Sequence, residues 1–235
     1  MNTPDDKKKF VREKFSSISG DYDFLNTLLS MNIDRYWRWV TTRMLSEYQE
    51  GTVLDLCAGT LPLALELTRQ APKRQVLAID FCEDMLLAGL KKRSADRRMA
   101  RIMPVCGDGE KIPARSESCW GITVAFGVRN LANTQDGLNE MYRVLKKRGK
   151  LLILEFSRPQ NPIIKPFYNL YLNKILPKMA GMVSGDTEAY EYLASSIAKF
   201  YEPSELLGMM KEAGFKEPWR RPLTFGIVTI YVGEK

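Results

Sequence analysis

The segment Thr52-Val53-Leu54-Asp55-Leu56-Cys57-Ala58-Gly59-Thr60 constrains the chain most: it is an apolar run ending in an acid and a glycine turn. Val76-Leu77-Ala78-Ile79-Asp80 repeats the pattern, and Leu63 to Gln70 between them reads as a helix. Strand, tight loop, helix and second strand make a βαβ unit, whose strand ends form a crevice for a nucleoside-containing ligand. The dinucleotide fingerprint G-x-G-x-x-G is absent, and Gly59 is the one glycine in the loop. Such a loop is not shaped to carry backbone against a pyrophosphate. Asp80, 21 positions after Gly59, suits a carboxylate that accepts from ribose hydroxyls. A nucleoside without a diphosphate, with Asp55 beside the loop, points to S-adenosyl-L-methionine. The plainer alternative is an α/β crossover whose acids only cap helices.

The pattern continues on both sides of this unit. Helices are expected over Lys7 to Ser17, Tyr22 to Leu29 and Asp34 to Ser46, with Asp34 as the N-cap of the third. Glu83 to Ser94 is a helix, Arg101 to Cys106 a strand, Trp120 to Phe126 a strand and Thr134 to Lys146 a helix. After a turn at Gly149, Leu151 to Phe156 is apolar without alternation, as a strand covered on both faces should be. Pro159 to Gly185, rich in Met and aromatic residues, reads as an inserted helical segment, followed by a helix over Asp186 to Lys199. Ser204 to Ala213 is a helix ended by Gly214. Strands near Glu217 to Pro222 and Ile227 to Val232 are joined by a few residues and must be antiparallel. The fold class is α/β: a seven-stranded, mostly parallel sheet with an antiparallel last strand. At 235 residues the chain reads as one domain. Residues 1–50 form a helical lid, 51–158 a cofactor-binding core, 159–200 a helical substrate insertion and 201–235 a C-terminal helix and strand pair.

Composition removes several chemistries. Histidine is absent, so acid–base work falls to Asp, Glu, Tyr, Lys, Arg or water. The four cysteines, Cys57, Cys82, Cys106 and Cys119, show no C-x-x-C spacing, and Cys57 and Cys106 fall in expected core strands. No apolar run approaches ~18 residues and no signal peptide is evident. A reducing cytoplasm is expected, with no disulfide framework and no metal site. The net charge of +7 is spread over clusters such as Lys7-Lys8-Lys9, read as solvated surface. It also suits an anionic membrane face or nucleic acid.

Two further turns carry candidate chemistry. Gly107-Asp108-Gly109-Glu110 follows the third strand, where Asp108 suits the adenine amino group and Gly109 lets backbone approach the ring. The alternative is a turn chosen for Asp-Gly chemistry. Phe126-Gly127-Val128-Arg129-Asn130 ends the fourth strand, where a transferred group meets its acceptor.

Taken together the chain resembles the ubiquinone/menaquinone biosynthesis C-methyltransferases, which methylate the ring of a polyprenylated hydroquinone. The resemblance runs nearly end to end. It includes Phe15-Ser16-Ser17-Ile18, Tyr22-Asp23, Leu25-Asn26, Leu54 to Thr60, Asp84-Met85-Leu86, Met141 to Lys146, Leu154-Glu155-Phe156-Ser157-Arg158-Pro159 and Tyr190 to Leu193. F-G-x-R-N and L-E-F-S-x-P are specific to that family; the first glycine motif alone indicates the wider class I, Rossmann-like S-adenosylmethionine methyltransferase fold. The resemblance implies cofactor contacts at Thr60, Asp80, Asp108 and Gly109, and the first loop adds Asp55 and Gly59 as candidates. It implies Arg129 at the quinol, used with a water to remove a proton. Tyr22 and Asp23 are further candidates to assist that loss, and Asn130, Tyr171 and Tyr192 are candidate substrate contacts. Arginine is always charged, so Arg129 is better suited to stabilising a phenolate than to accepting its proton.

The chain departs from the family where A-G-T-G-D becomes Ala58-Gly59-Thr60-Leu61-Pro62, and where the serine before F-G becomes Ala125. Leu61 either crowds the methionine end of the cofactor or points into the core, and Pro62 suits the first position of a helix. A paralogue that binds an apolar molecule without methyl transfer is the alternative this replacement raises; another small aromatic acceptor is a second. Nucleic acid is not an expected partner, because the N/D-P-P-Y stretch of exocyclic-amino methyltransferases is replaced by Phe126-Gly127-Val128-Arg129. Peripheral contact with the inner membrane face and a homodimer are compatible with the resemblance.

Overall fold

The structure is a computed structural model, and it describes residues 3–20, 22–175 and 187–235. Its frame is a seven-stranded sheet in the order β3-β2-β1-β4-β5-β7-β6. The strands are β1 (Glu50–Leu56), β2 (Lys73–Asp80), β3 (Ile102–Cys106), β4 (Cys119–Ala125), β5 (Leu145–Phe156), β6 (Lys216–Leu223) and β7 (Val228–Glu234). β3, β2, β1, β4 and β5 pair in parallel. β7 runs antiparallel to both β5 and β6, as the short final connection requires. The chain leaves β1 toward β2 and β3 on one side and returns to β4 on the other. That reversal opens a crevice at the carboxyl ends of β1 and β4.

Helices cover both faces: α1 (Pro4–Ile18), α2 (Tyr22–Leu29), α3 (Ile33–Arg43), α4 (Pro62–Gln70), α5 (Glu83–Lys92), α6 (Thr134–Val144), α7 (Ile164–Leu170), α8 (Thr187–Lys199) and α9 (Pro203–Glu212). On one face Leu138 and Met141 of α6 and Met210 of α9 pack with Leu151 and Ile153. On the other, Trp37 of α3 and Leu67 of α4 pack with Val53, Leu152 and Leu154. Leu151 to Leu154 are fully buried, so β5 is covered on both faces as its unbroken apolar run predicts. Arg74 is also fully buried; it donates to the Leu45, Tyr48 and Leu67 carbonyls and ties the segment between α3 and β1 to β2.

Several boundaries differ from the sequence expectation for local reasons. α1 starts at Pro4 because Thr3 and Asp6 form a reciprocal capping box. α3 is not capped by Asp34; Asn32 occupies the cap, and Asp34 is buried in the first turn. β5 starts at Leu145, with Gly149 in an irregularity of the strand rather than in a turn before it. Cys106 ends the edge strand β3 and is exposed. The insertion after β5 divides into α7 and a π-turn over Tyr171–Ile175. Leu176, Met179, Met182 and Asp186 lie outside the described residues. Among the described residues no helix is long and apolar enough to cross a membrane.

Candidate active site

The crevice holds a narrow cavity of about 80 Å³, lined by Gly59, Asp80, Asp108, Gly109 and Asn130 among others. Backbone strain marks its rim: Cys57, Phe126 and Leu61, none of them glycine, have φ of 56°, 58° and 69°. Gly127 is forced by close approach, since a Cβ there would lie 2.4 Å from Cys57 Cβ. Asp80 accepts from the Gly59 N–H at 2.7 Å and the Cys82 N–H at 2.8 Å. Burial pushes its pKa up, against the pull of those N–H groups. Asp55 and Thr60 stand behind the cavity wall. Asp55 accepts from the Thr123 hydroxyl at 2.9 Å, and its second oxygen is buried without a partner among the described residues. Burial pushes its pKa to about 7. Thr60 is fully buried and donates its hydroxyl to Asp23.

Leu61 does not crowd the cavity. It takes the left-handed cap position of α4, its side chain is fully buried in the core with Ala64 and Leu67, and Pro62 begins the helix as expected. The glycine-like backbone is kept at leucine's steric cost, and the cavity wall is left to Gly59.

The cavity is narrow because α1 closes it, which corrects the reading of Lys7 and Lys8 as solvated surface; Lys9 is exposed as that reading expects. Lys8 Nζ lies 2.6 Å from Asp108 and 2.9 Å from Glu110. Burial works to lower the Lys8 pKa, but the two carboxylates prevail and raise it. Lys7 donates to the Arg129 and Leu131 carbonyls. Burial lowers its pKa, with Glu110 opposing. Arg12 lies over the Phe81 ring at 4.3 Å. These contacts put cations where an adenine ring and its amino group are expected.

Beyond Phe15, Tyr22 and Phe126, which line both spaces, lies a second cavity of about 430 Å³. Its walls are mostly apolar and aromatic, with Trp37, Phe156, Tyr168, Tyr171, Leu172 and Tyr192 among them. Phe126 and Phe156 pack ring against ring, with centroids 4.6 Å apart. Arg129, 9 % exposed, also lines it. Its Nη1 donates to Glu155 Oε1 at 2.8 Å and to the Phe126 carbonyl, and its guanidinium lies 5.5 Å from the Phe156 ring centre. Glu155 is fully buried; burial raises its pKa and Arg129 works against the rise. Asn130 accepts from the Tyr192 hydroxyl at 3.1 Å, joining the two cavities. Burial raises the pKa of Tyr22, opposed by a hydrogen bond with Asn26 and by Arg129 and Arg38.

Thus Tyr22, Arg129, Asn130, Tyr171 and Tyr192 come together here, whereas Asp23 does not. Asp23 takes the Thr60 hydroxyl and pairs with Arg93 at 2.9 Å and Lys92 at 3.4 Å. Burial works to raise its pKa, but these partners lower it, so it braces α2 against the loop after β1 and the end of α5. Sequence reasoning missed Lys8, Glu155, Asp34 and Arg38. Glu155 had a usable signal, an acid inside an unbroken apolar strand, which demands a buried partner. The i,i+4 spacing of Asp34 and Arg38 fits an exposed helix pair equally well.

The family model of the ubiE/COQ5 methyltransferases matches residues 1–235. The chain belongs to this family. It is 38 % identical over 231 residues to the ubiquinone/menaquinone biosynthesis C-methyltransferase UbiE of Geobacter sulfurreducens, covering 98 % of this chain and 90 % of that one. It is 38 % identical to the demethylmenaquinone methyltransferase of Deinococcus radiodurans, covering 98 % and 94 %. In fold it matches a SAM-dependent methyltransferase from Thermotoga maritima with a TM-score of 0.62 at 18 % identity, covering 95 % and 98 %. One from Aquifex aeolicus matches with a TM-score of 0.57 at 18 % identity, covering 81 % and 87 %. As a ubiE/COQ5 member the chain is a methyltransferase that uses S-adenosyl-L-methionine. The residues present fit that cofactor: the Asp80 and Asp108 carboxylates line the crevice beside Gly59 and Gly109, and carboxylates accept from ribose hydroxyls and an amino group.

Proposed function

We propose that this ubiE/COQ5 methyltransferase methylates a ring carbon of a polyprenylated hydroquinone of the demethylmenaquinol type. The observation that carries the reading is the second cavity: large, apolar, and joined to the cofactor crevice at Tyr22 and Phe126 beside the buried Arg129. Few polar groups in an apolar chamber suit an aromatic ring with a prenyl tail. The names of the relatives from Geobacter sulfurreducens and Deinococcus radiodurans support the same substrate class.

S-adenosyl-L-methionine supplies the methyl group. Asp80 would hold the ribose hydroxyls and Asp108 the adenine amino group, once Lys8 has released it. Asp55, behind the wall, supplies negative potential rather than a direct contact. Arg129, oriented by Glu155, faces the ring oxygen that becomes a phenolate and stabilises its charge; the negative charge then enriches the adjacent ring carbon. Tyr22 stays a neutral phenol at the junction and donates a hydrogen bond. Asn130 and Tyr192 hold the wall between ring and cofactor in near-attack geometry.

The chamber mouth carries Met31, Phe167 and Phe225, all exposed, Phe225 by 75 % at a left-handed φ of 56°. Lys165 and Arg35 are exposed on the adjoining helices. An apolar mouth flanked by cations suits peripheral docking on an anionic bilayer that delivers the tail. Flotation with phosphatidylglycerol vesicles should recover the protein, and Phe225→Ser should lower that recovery.

The deciding assay is methyl transfer to a short-chain demethylmenaquinol, with the product located by mass spectrometry and NMR. Transfer to the ring carbon is expected. Transfer only to oxygen, or only to other acceptors such as catechols, would reject the quinol reading.

A further inference from the structure

Arg129 has a counterpart in the same chamber. Arg38 of α3 is buried and lines the chamber together with Asp34, its carboxylate partner. Ser30 completes the set, donating to Asp34 Oδ1 at 2.8 Å. The Arg38 guanidinium lies 6.0 Å from the Phe126 ring centre, as that of Arg129 lies 5.5 Å from the Phe156 ring centre. Each arginine thus attends one ring of the Phe126–Phe156 pair. Each pairs with its carboxylate through Nη1, and each keeps Nε–H buried with no partner among the described residues. Buried donors without partners are costly, and the Tyr168 hydroxyl in the same wall is unpartnered too; the chamber therefore presents polar groups among its apolar ones, and its two arginines suit two acceptor oxygens on one ligand.

The two ends differ in one respect. At the Arg129 end the carboxylate, Glu155, is fully buried and does not reach the chamber lining, so the charged side chain offered there is a donor. At the Arg38 end Asp34 lines the chamber beside the arginine, so donor and acceptor are both offered. A donor alone suits an oxygen anion; a donor with a carboxylate suits a neutral hydroxyl, which must give its own hydrogen bond.

Building on the quinol reading, we propose that the Asp34–Arg38 pair is a second oxygen site that holds the far hydroxyl of a 1,4-dihydroxylated ring in its neutral form. The near oxygen, at Arg129, is then the one that ionises. The pair therefore positions the ring and selects which carbon becomes the nucleophile. No bond is made or broken at Asp34 or Arg38; both are positioning residues.

The test compares 2-prenyl-1,4-naphthohydroquinone with 3-prenyl-1-naphthol, which keeps the hydroxyl beside the reacting carbon and lacks the other. The wild type should favour the diol in kcat/KM by roughly 10- to 100-fold, the range of a hydrogen bond to a charged group. Arg38→Gln should bring that ratio near one. Because Arg38→Gln strands Asp34, the double variant Asp34→Asn/Arg38→Gln, which leaves no unpaired buried charge, is measured alongside it. Ring binding is followed independently by quenching of tryptophan emission, Trp37 being in the chamber wall. A purely structural pair would alter stability and leave the diol-to-phenol ratio of both rate and binding where it was; that result overturns the proposal. So does a wild type that acts equally on both rings. A wild type that methylates neither rejects the quinol reading itself, and this inference with it.

Discussion

The two cavities are built in opposite ways. The cofactor side comes from the turns after β1, β2, β3 and β4, is narrow, and is closed by the Lys8 ion pairs of α1. The acceptor side is about 430 Å³, assembled from α1, α2, α3, the end of β4, the insertion and the turn before β7, and its charges are locked in buried pairs. One side is closed by ion pairs of partly exposed side chains, the other framed by buried pairs. A reaction that exchanges a soluble cofactor while aligning a bulky ring needs both.

If the acceptor side is the rigid half, breaking its buried pair should have the largest effect. Glu155→Ala leaves Arg129 buried and unpaired and is expected to cost about 3–5 kcal/mol in urea unfolding. A change below about 1 kcal/mol would place that pair outside the framework. Next is Leu61→Gly, at the border of the two halves. It relieves a left-handed leucine, worth about 1 kcal/mol, but removes a fully buried side chain worth about 2–5 kcal/mol. A net loss of about 1–4 kcal/mol is expected in thermal or urea unfolding, with cofactor affinity little changed. A gain in stability would mean that leucine is a mere defect in a glycine position.

Asp55 gives an effect of comparable total size that depends on pH. Its pKa is raised by burial to about 7, above its unfolded value. The folded state therefore binds the proton more tightly. Wild-type stability should fall by up to about 1.4 kcal/mol per unit as pH rises from the ordinary carboxylate range to about 7, and level off above it. Asp55→Asn should remove that slope in unfolding curves taken between pH 4 and 8, and S-adenosyl-L-methionine should move the bend to lower pH. The smallest expected change is in the latch. Lys8→Gln removes ion pairs with Asp108 and Glu110 and should tighten cofactor binding about 2- to 5-fold in calorimetry. Weaker binding would make Lys8 a cofactor contact rather than a competitor.

The same contrast explains what was legible in the sequence. Asp80, Asp108 and Gly109 are legible because Asp80 ends β2 and Asp108-Gly109 lies just after β3, each at the end of an apolar run. Arg129 was legible from the turn after β4, but its partner Glu155 lies on a different strand and was passed over inside an apolar run. The sequence pattern at Asp34 suits a helix cap, because an acid before an amphipathic stretch usually is one; its burial depends on α3 packing over Phe126, which no local pattern encodes. A charge run such as that at Lys7 and Lys8 is usually a solvated face. Only the docking of α1 onto the crevice buries them.

The most direct test of two cavities serving one reaction is Arg129→Lys, followed by single-turnover methyl transfer to demethylmenaquinol and by calorimetry with S-adenosyl-L-methionine. Lysine keeps the charge but loses the planar fork that Glu155 orients. The transfer rate should fall by about 100-fold or more while cofactor affinity stays within about 2-fold. Equal losses in rate and affinity would contradict the division, and would place Arg129 in the cofactor half.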